Sequence, residues 1–493
     1  MLKMQILKGA SWLLAGRLAS NGLGLMSTLI AARLLMPEDF GLMAVAMSVL
    51  AIAGAVVELP VGIALVQMKT AEKADFDTAW TINILRGVII AALMLAAAWP
   101  VAALMQDTRL VGLVAALAAY PLILGFKNSW FEQYIRDMDF RREAMLDLAA
   151  KFVSLAVTVW VGYATRSYWA LPLGLIASAL AVSSGSFLLR PQVPGISLSR
   201  FRKFFGFSLW IGLGAIADSL RDASTTFFIG RLLGNAKLGA FAVGSQFGER
   251  LELVLYTPME RTLFAAFSSI QEDIDRIRSA YLGSLQAGFA VILPVCAGMG
   301  LLAHEIITVA LGPGWELAVM VLAVAAPVTA VYLVAGLSNS LTNALGHPRA
   351  LFRYKLISAV LHIPVLAWAT VQFGLAGALF ACAVNAGLWY FFSIHAAARV
   401  TGLTRSAQVA AIGRSVVSAL AMAAAVTACR WGLLGGPGNG LAELLVDAAI
   451  LALLGALVYA ATHLALWHLS GRGEGIERSA LTLLSRGFRL RAP

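Results

Sequence analysis

Residues 12–45 read WLLAGRLASNGLGLMSTLIAARLLMPEDFGLMAV, and residues 210–243 read WIGLGAIADSLRDASTTFFIGRLLGNAKLGAFAV. A shift of 198 positions lays Arg33-Leu34-Leu35 on Arg231-Leu232-Leu233, Gly41 on Gly239 and Ala44-Val45 on Ala242-Val243. It also lays Trp12 on Trp210 and Gly16 on Gly214. Each stretch is a long apolar helix, a short break carrying polar residues, and the start of a second apolar helix. They read as one unit used twice, the kind of internal repetition from which membrane carriers are built.

Working outward, only 13% of the 493 residues are charged and 60% are hydrophobic, with a mean hydropathy of +0.82. A soluble chain would carry about 25% charged and about 45–50% apolar residues, so most of this surface cannot face water. Runs long enough to cross hydrocarbon need about 20 residues each, and the sequence holds many. The expected fold class is an all-α polytopic membrane protein. The net charge of +11 is spread between the apolar runs rather than gathered in one patch, which argues for topology signals and against nucleic acid as a partner. Cys296, Cys382 and Cys429 show no paired spacing, so neither a disulfide framework nor a zinc site is expected. Lys3 and Lys8 precede a run that is too long for a signal peptide and is interrupted by Arg17, which makes it a retained first helix.

Fourteen candidate spans follow, at about 9–35, 40–67, 78–104, 110–134, 143–164, 168–189, 204–233, 238–267, 277–302, 316–342, 350–370, 375–398, 407–430 and 441–468. Alternating their connections across the membrane leaves only Arg33, Arg109, Arg166, Arg231, Lys237 and Arg430 on one side and every other connecting Lys and Arg on the opposite side. That bias places both termini in the cytoplasm. The basic Arg190–Lys203 connection separates two lobes. The expected organisation is an N-terminal lobe at 1–190, a cytoplasmic linker at 191–203, a second lobe at 204–398, two extra helices at 399–470, and an amphipathic basic tail at 471–493. The linker and tail are suited to anionic lipid at the inner leaflet. Connections on the outer side are short and leave no room for a catalytic domain.

No HExxH, Walker A, GxSxG or paired-cysteine metal motif occurs, so no catalytic residue, metal or cofactor is expected, and the chain does not read as an enzyme. His304, His362 and His463 read as interhelical hydrogen-bonding groups. The informative residues are charges inside spans, where an ionisable group costs at least about 2.5–3.5 kcal/mol. Arg17, Arg86 and Lys127 have no acid within four residues on their own helix. Asp147 with Lys151, and Asp218 with Arg221, have helical spacing for local pairs. Asp218, Arg221 and Asp222, and then Glu249, Arg250, Glu252, Glu260 and Arg261, lie on the second copies of the helices that hold Arg17 and Glu58. Both copies are therefore expected to line a wet, charged passage. Pro37 cannot continue the preceding helix, and Glu38 and Asp39 stand where they can cap the next one.

The Leu35-Met36-Pro37-Glu38-Asp39-Phe40-Gly41 turn, after a first helix with a lone Arg17, resembles that of the Wzx-type oligosaccharide flippases of the multidrug/oligosaccharidyl-lipid/polysaccharide exporter superfamily. The resemblance extends over most of the chain: a helix pair restarting near 205–245, a linker between six-helix lobes, and two extra C-terminal helices. It implies a two-lobed bundle translocating an undecaprenyl-diphosphate-linked oligosaccharide from the cytoplasmic to the periplasmic leaflet of the bacterial inner membrane, for O-antigen, capsule or exopolysaccharide. Membrane lipids, and a polysaccharide polymerase with its chain-length machinery, are the partners it implies. Arg17, Arg86, Lys127, Arg221, Arg250 and Arg261 are the candidates for binding phosphate through charge-assisted hydrogen bonds. Glu58, Asp218, Asp222 and Glu249 are the candidates for a coupling ion. A drug or cation antiporter of the same superfamily, usually with twelve spans, and a membrane glycosyltransferase or polymerase are the alternatives.

Overall fold

The computed structural model describes residues 2–57, 61–68, 71–137, 139–204, 209–436, 438 and 440–470. All regular structure among them is helical, as hydrocarbon requires of a chain that must satisfy its own backbone hydrogen bonds. Glu58 and the 471–493 tail lie outside the described residues. The chain divides into two compact units, 1–242 and 243–493, with the division inside a helix.

The first unit begins with α1 (Leu2–Leu34), α2 (Pro37–Val56), the short α3 (Val61–Gln67) and α4 (Lys73–Met105). Met36 is extended at φ −87° and ψ 157°, and its N–H donates to the Asp39 carboxylate at 2.9 Å. Pro37 occupies the first turn of α2, so the acidic turn is the helix start that its composition predicts. The chain continues through α5 (Arg109–Leu117), α6 (Ala119–Gly125), a 3₁₀ turn at Ser129–Phe131 and α7 (Glu132–Arg136). After these come α8 (Phe140–Thr165), α9 (Ala170–Leu189), α10 (Phe201–Phe204) and α11 (Leu209–Leu233). Helices α1, α8 and α9 pack side by side. Small residues allow it: Gly16 meets Ala144, Gly174 meets Thr158, and Gly185 meets Leu146.

The connection after α9 is strapped to the start of α4. Asn128, fully buried, donates from Nδ2 to the carbonyls of Arg190 and Gln192 at 2.7 and 2.8 Å. Gly195 N–H donates to Asp77 at 2.7 Å, Ser197 N–H to the Thr81 hydroxyl at 2.9 Å, and Arg200 pairs with Glu72 at 3.0 Å.

The two sequence copies meet within the first unit. α11 packs on α2, and the next helix, α12 (Asn235–Leu251), starts beside the start of α2. A methyl group on Gly41 would overlap the Asn235 carbonyl, and one on Gly239 would overlap the Pro37 carbonyl. Under the 198-residue shift Gly41 corresponds to Gly239 and Pro37 to Asn235. The contact is thus reciprocal, as a two-fold relation between two copies demands.

The second unit takes α12 beyond Ala242, then α13 (Thr257–Ser269), α14 (Ile274–Leu301), α15 (Ala303–Leu311), α16 (Glu316–Ala344) and α17 (Pro348–Thr401), and closes with α18 (Arg405–Gly432) and α19 (Leu441–Leu469). α17 turns back on itself at Gly374, whose φ of 61° and ψ of −136° suit glycine. Ser358 then reaches Asn385 at 2.7 Å and Tyr354 stacks on Phe392, so α17 covers the expected spans at 350–370 and 375–398. Tyr281, buried at 0% exposure, hydrogen-bonds Ser338 at 2.6 Å and Gln408 at 2.8 Å. Arg430 reaches the buried Glu305 at 2.7 Å. These contacts fix α18 to α14, α15 and α16. Of the expected hydrogen-bonding histidines, His362 and His463 are buried, and His463 stacks on Tyr459.

Among the described residues nine helices are long and apolar enough to span, or ten with the bent pair 109–125 and 129–136. Length and composition therefore do not establish a count of fourteen. α1, α11 and α12 are outside the nine: α1 carries Lys3, Lys8, Arg17 and Arg33, α11 carries Asp218, Arg221, Asp222 and Arg231, and α12 has only 17 residues.

Gly41→Ala and Gly239→Ala should each lower the thermal unfolding temperature of the detergent-purified protein, by the equivalent of about 1–3 kcal/mol of overpacking. Gly22 and Gly54 have nothing within 4 Å of an added methyl. Gly22→Ala and Gly54→Ala should leave that temperature unchanged or raise it slightly, since alanine is favoured over glycine in a helix by up to about 1 kcal/mol.

Candidate functional site

Arg17 lies on the exposed part of α1, one residue beyond the Gly16–Ala144 contact with α8. It lines a cavity of about 230 Å³ with Lys127, Phe131, Glu143, Leu146, Asp147 and Val182. α1 supplies Arg17, the joint between α6 and the 3₁₀ turn supplies Lys127, α8 supplies the two carboxylates and α9 supplies Val182. The chamber is small beside ligand pockets of roughly 300–1,000 Å³. It suits one charged headgroup rather than an oligosaccharide.

Two of its charges, Lys127 and Asp147, are already engaged. Lys127 Nζ stands 3.1 Å from Glu132 and 5.2 Å from the centre of the Phe131 ring. Asp147 accepts the hydroxyl of Ser20 from α1. Asp147 makes no ion pair with Lys151 among the described residues: in place of the local pair that the spacing predicts, it takes a partner 127 residues away. Arg17, Lys127, Glu132 and Asp147 are the charged groups acting on Glu143.

The structure brings Arg17 and Lys127 together, whereas Arg86 and Arg221 do not line that cavity. Arg86 is half-buried in α4, and its Nε is enclosed without a hydrogen-bond partner among the described residues. It does not line the cavity. Arg221, 19% exposed, is held on α11 by Asp222 at 2.9 Å and Asp218 at 3.5 Å, so the expected local pair forms and gains a second acid. Arg250 is half-buried near the end of α12, and Glu249 beside it is exposed. Arg261 lies in α13, but its side chain is outside the described residues. Glu143 and Asp147 were not among the expected site residues. Their signal was available, because two carboxylates four apart on one apolar helix repel each other unless something answers them.

A second polar cluster ties the two repeat turns together. Arg109 Nη2 donates to Glu38 at 2.5 Å and to Asp107 at 2.7 Å, and Arg109 Nε donates to Asp107 at 3.0 Å. Asn235 Nδ2 donates to the same Asp107 carboxylate at 2.9 Å. The cluster thus joins Glu38 of the first copy to Asn235 of the second. The Arg109 hydrogen bond holds the Asp107 carboxyl below the usual carboxylate range.

Residues 30–320 match the family described as "Polysaccharide biosynthesis protein". The chain is 24% identical to the succinoglycan biosynthesis transport protein ExoT of Rhizobium meliloti (strain 1021), over 85% of this chain and 86% of that protein. It is 20% identical to the lipopolysaccharide biosynthesis protein WzxC of Escherichia coli (strain K12), over 74% and 75% of the two chains. Among solved structures, the lipid II flippase MurJ in an inward closed conformation aligns with a TM-score of 0.67 at 12% identity, over 92% of this chain and 98% of that one.

A carboxylate with a depressed native pKa stabilises the fold above its unfolded value, and that stabilisation is lost as pH falls through the native value. The unfolding-temperature difference between wild type and Asp107→Asn should therefore stay constant from about pH 5 to 8 and shrink only below about pH 4. Thermal unfolding of both proteins across that range measures it.

Proposed function

Because the chain belongs to the polysaccharide biosynthesis protein family, we propose that it is a flippase carrying an undecaprenyl-diphosphate-linked oligosaccharide from the cytoplasmic to the periplasmic leaflet of the bacterial inner membrane. The observation that carries this reading is the cavity that gathers Arg17, Lys127, Glu143 and Asp147 where α1 meets α8, with Arg17 and Asp147 exposed at its mouth. A diphosphate cannot cross hydrocarbon unaided, and guanidinium and ammonium groups bind it by charge-assisted hydrogen bonds. Arg17 and Lys127 take that role in the chamber. Arg86, Arg250 and Arg261 are further points on the path, whereas Arg221 is already answered by two acids.

Transport proceeds by alternating access between the lobes 1–190 and 204–398, joined by the linker at 191–203 and followed by the helices at 399–470, with no covalent chemistry. Separating the repeat turns then requires Gly41 and Gly239 to part and the Glu38–Arg109–Asp107–Asn235 cluster to open. Both termini are cytoplasmic, which sets the start of α8, and with it Glu143, near the cytoplasmic side. Glu58, Asp218, Asp222 and Glu249 are the coupling-ion candidates. The product feeds O-antigen, capsule or exopolysaccharide synthesis together with a polymerase and its chain-length machinery.

One observation favours a second reading. Glu132, Glu143 and Asp147 outnumber the two cations near them, as in a chamber built for an organic cation. Deleting the gene should cause lipid-linked oligosaccharide to accumulate on the cytoplasmic leaflet, with no change in sensitivity to cationic drugs. Restoring the wild-type gene should restore surface polysaccharide. Arg17→Ala or Lys127→Ala should abolish it at unchanged membrane level; normal polysaccharide in both variants would remove the chamber from the transport path.

A further inference from the structure

Where α17 passes into α18, the second unit gathers positive charge. Arg399 in the last turn of α17 and Arg405 in the first turn of α18 are both exposed. They meet at His395, on which they are the two acting charges. Arg405 Nη2 donates to His395 Nδ1 at 2.6 Å. A guanidinium only donates, so Nδ1 is the acceptor and Nε2–H remains as the donor of the ring. An aromatic wall holds this geometry. The Arg405 guanidinium lies 5.2 Å from the centre of the Phe391 ring, and His395 stacks parallel to Phe391 at 6.4 Å. Tyr354 meets His395 edge-on at 6.0 Å while stacking on Phe392. On α14, Asp275 is taken by Arg278 at 2.8 Å, and Arg278 Nε donates to the Thr401 carbonyl at 2.7 Å. Neither Arg399 nor Arg405 has a carboxylate partner among the described residues. The first turn of α18 holds no acid, so the helix dipole adds positive potential where Arg405 already stands.

The surface leading to this corner is apolar. Phe380, Gly387 and Phe391 precede His395 and Arg399 at helical spacing along one face of α17. Phe380 and Phe391 are 57% and 45% exposed, and a methyl group added to Gly387 would meet nothing within 4 Å. An exposed apolar face on a helix long and apolar enough to span suits hydrocarbon, and cations at the end of such a face suit the headgroup level. We propose that Arg399 and Arg405 bind the phosphodiester of an anionic membrane phospholipid, whose acyl chains lie along the Phe380–Gly387–Phe391 face. His395 and Phe391 are positioning residues that hold Arg405. Charge selects the occupant: phosphatidylglycerol brings one negative charge, whereas the choline of phosphatidylcholine brings a third cation to a corner that already has two. The bound lipid joins the last turn of α17 to the first turn of α18 across the 402–404 link. On the topology proposed above it comes from the cytoplasmic leaflet. The site belongs to the second unit and does not depend on what the chain carries.

The test places a photo-cross-linker in the purified full chain as Gly387→p-benzoylphenylalanine, in nanodiscs of phosphatidylglycerol and phosphatidylcholine with identical acyl chains. Mass spectrometry of the cross-linked peptide identifies the lipid. The ratio of phosphatidylglycerol to phosphatidylcholine adducts should exceed the ratio in the disc by about tenfold or more. Arg399→Gln and Arg405→Gln should each lower that enrichment about fivefold, the effect of one basic residue near an anionic headgroup. Arg405→Lys, which keeps the charge, should retain most of it. Enrichment with both arginines in place supports the site even if a Gln variant does not fold. Adducts in proportion to the disc composition would reduce the corner to plain hydrocarbon contact and overturn the site, as would the absence of any lipid adduct. Added undecaprenyl diphosphate, cross-linked in preference to phosphatidylglycerol, would overturn the phospholipid assignment in favour of a polyprenyl diphosphate. Loss of the enrichment on adding inorganic phosphate at constant ionic strength would overturn it in favour of a free anion.

Discussion

A charge inside an oily helical bundle must be answered by a group on another helix, by water or by a ligand, because insertion alone leaves it several kcal/mol unfavourable. The first unit follows this constraint closely. Asp147 is answered by Ser20 across the α1–α8 contact, Lys127 by Glu132, and Arg221 by Asp218 and Asp222 on its own helix. The chamber depends on this arrangement. Gly16 lets α1 approach α8 at Ala144, and that approach brings Ser20 and Arg17 to the wall that carries Glu143 and Asp147.

The repeat supplies the second constraint. Gly41 and Gly239 occupy equivalent positions, and each accepts the other copy's helix start against its bare Cα. A reciprocal contact of this kind needs one residue type at both positions, which is why Gly41 and Gly239 match although the turns around them differ. Glu38 of the first turn and Asn235 of the second are bridged by Asp107 and Arg109, which belong to neither copy. The acidic first turn and the second turn, which holds Asn235 and Lys237 but no acid, are thus two sides of one cluster, with Arg109 and Asp107 between them.

Helical class, the repeat, the helix start at Pro37 and the paired spans within α17 were all legible from periodicity and turn chemistry, which act over a few residues. The partners of buried charges were not. Asp147 reads locally as a mate for Lys151, yet helix packing delivers Ser20 instead. Arg109 reads as one of the few basic residues on the minority side, whereas it bridges Glu38 and Asp107. Arg17 and Lys127 could be singled out because they lack a local acid, but their convergence on one cavity depends on α6, α8 and α1 meeting. Sequence spacing reports neighbours along a helix; it carries no information on which face meets which helix.

The helices outside the apolar set lead one step further. α1 and α11 carry the equivalent charge-bearing stretches of the repeat, while α4, α8, α9, α16 and α19 are apolar enough to span on their own composition. A segment that does not favour hydrocarbon by itself is held there by its neighbours, and α1 and α11 accordingly pack on the apolar α8 and α2. Gly16 secures the α1–α8 contact, and Gly41 with Gly239 the neighbouring α2–α12 contact, through close approach rather than through further apolar area. The glycines that fix the fold and the charges that line the chamber are therefore two parts of one solution: a helix as polar as α1 stays among apolar neighbours because it is tightly docked.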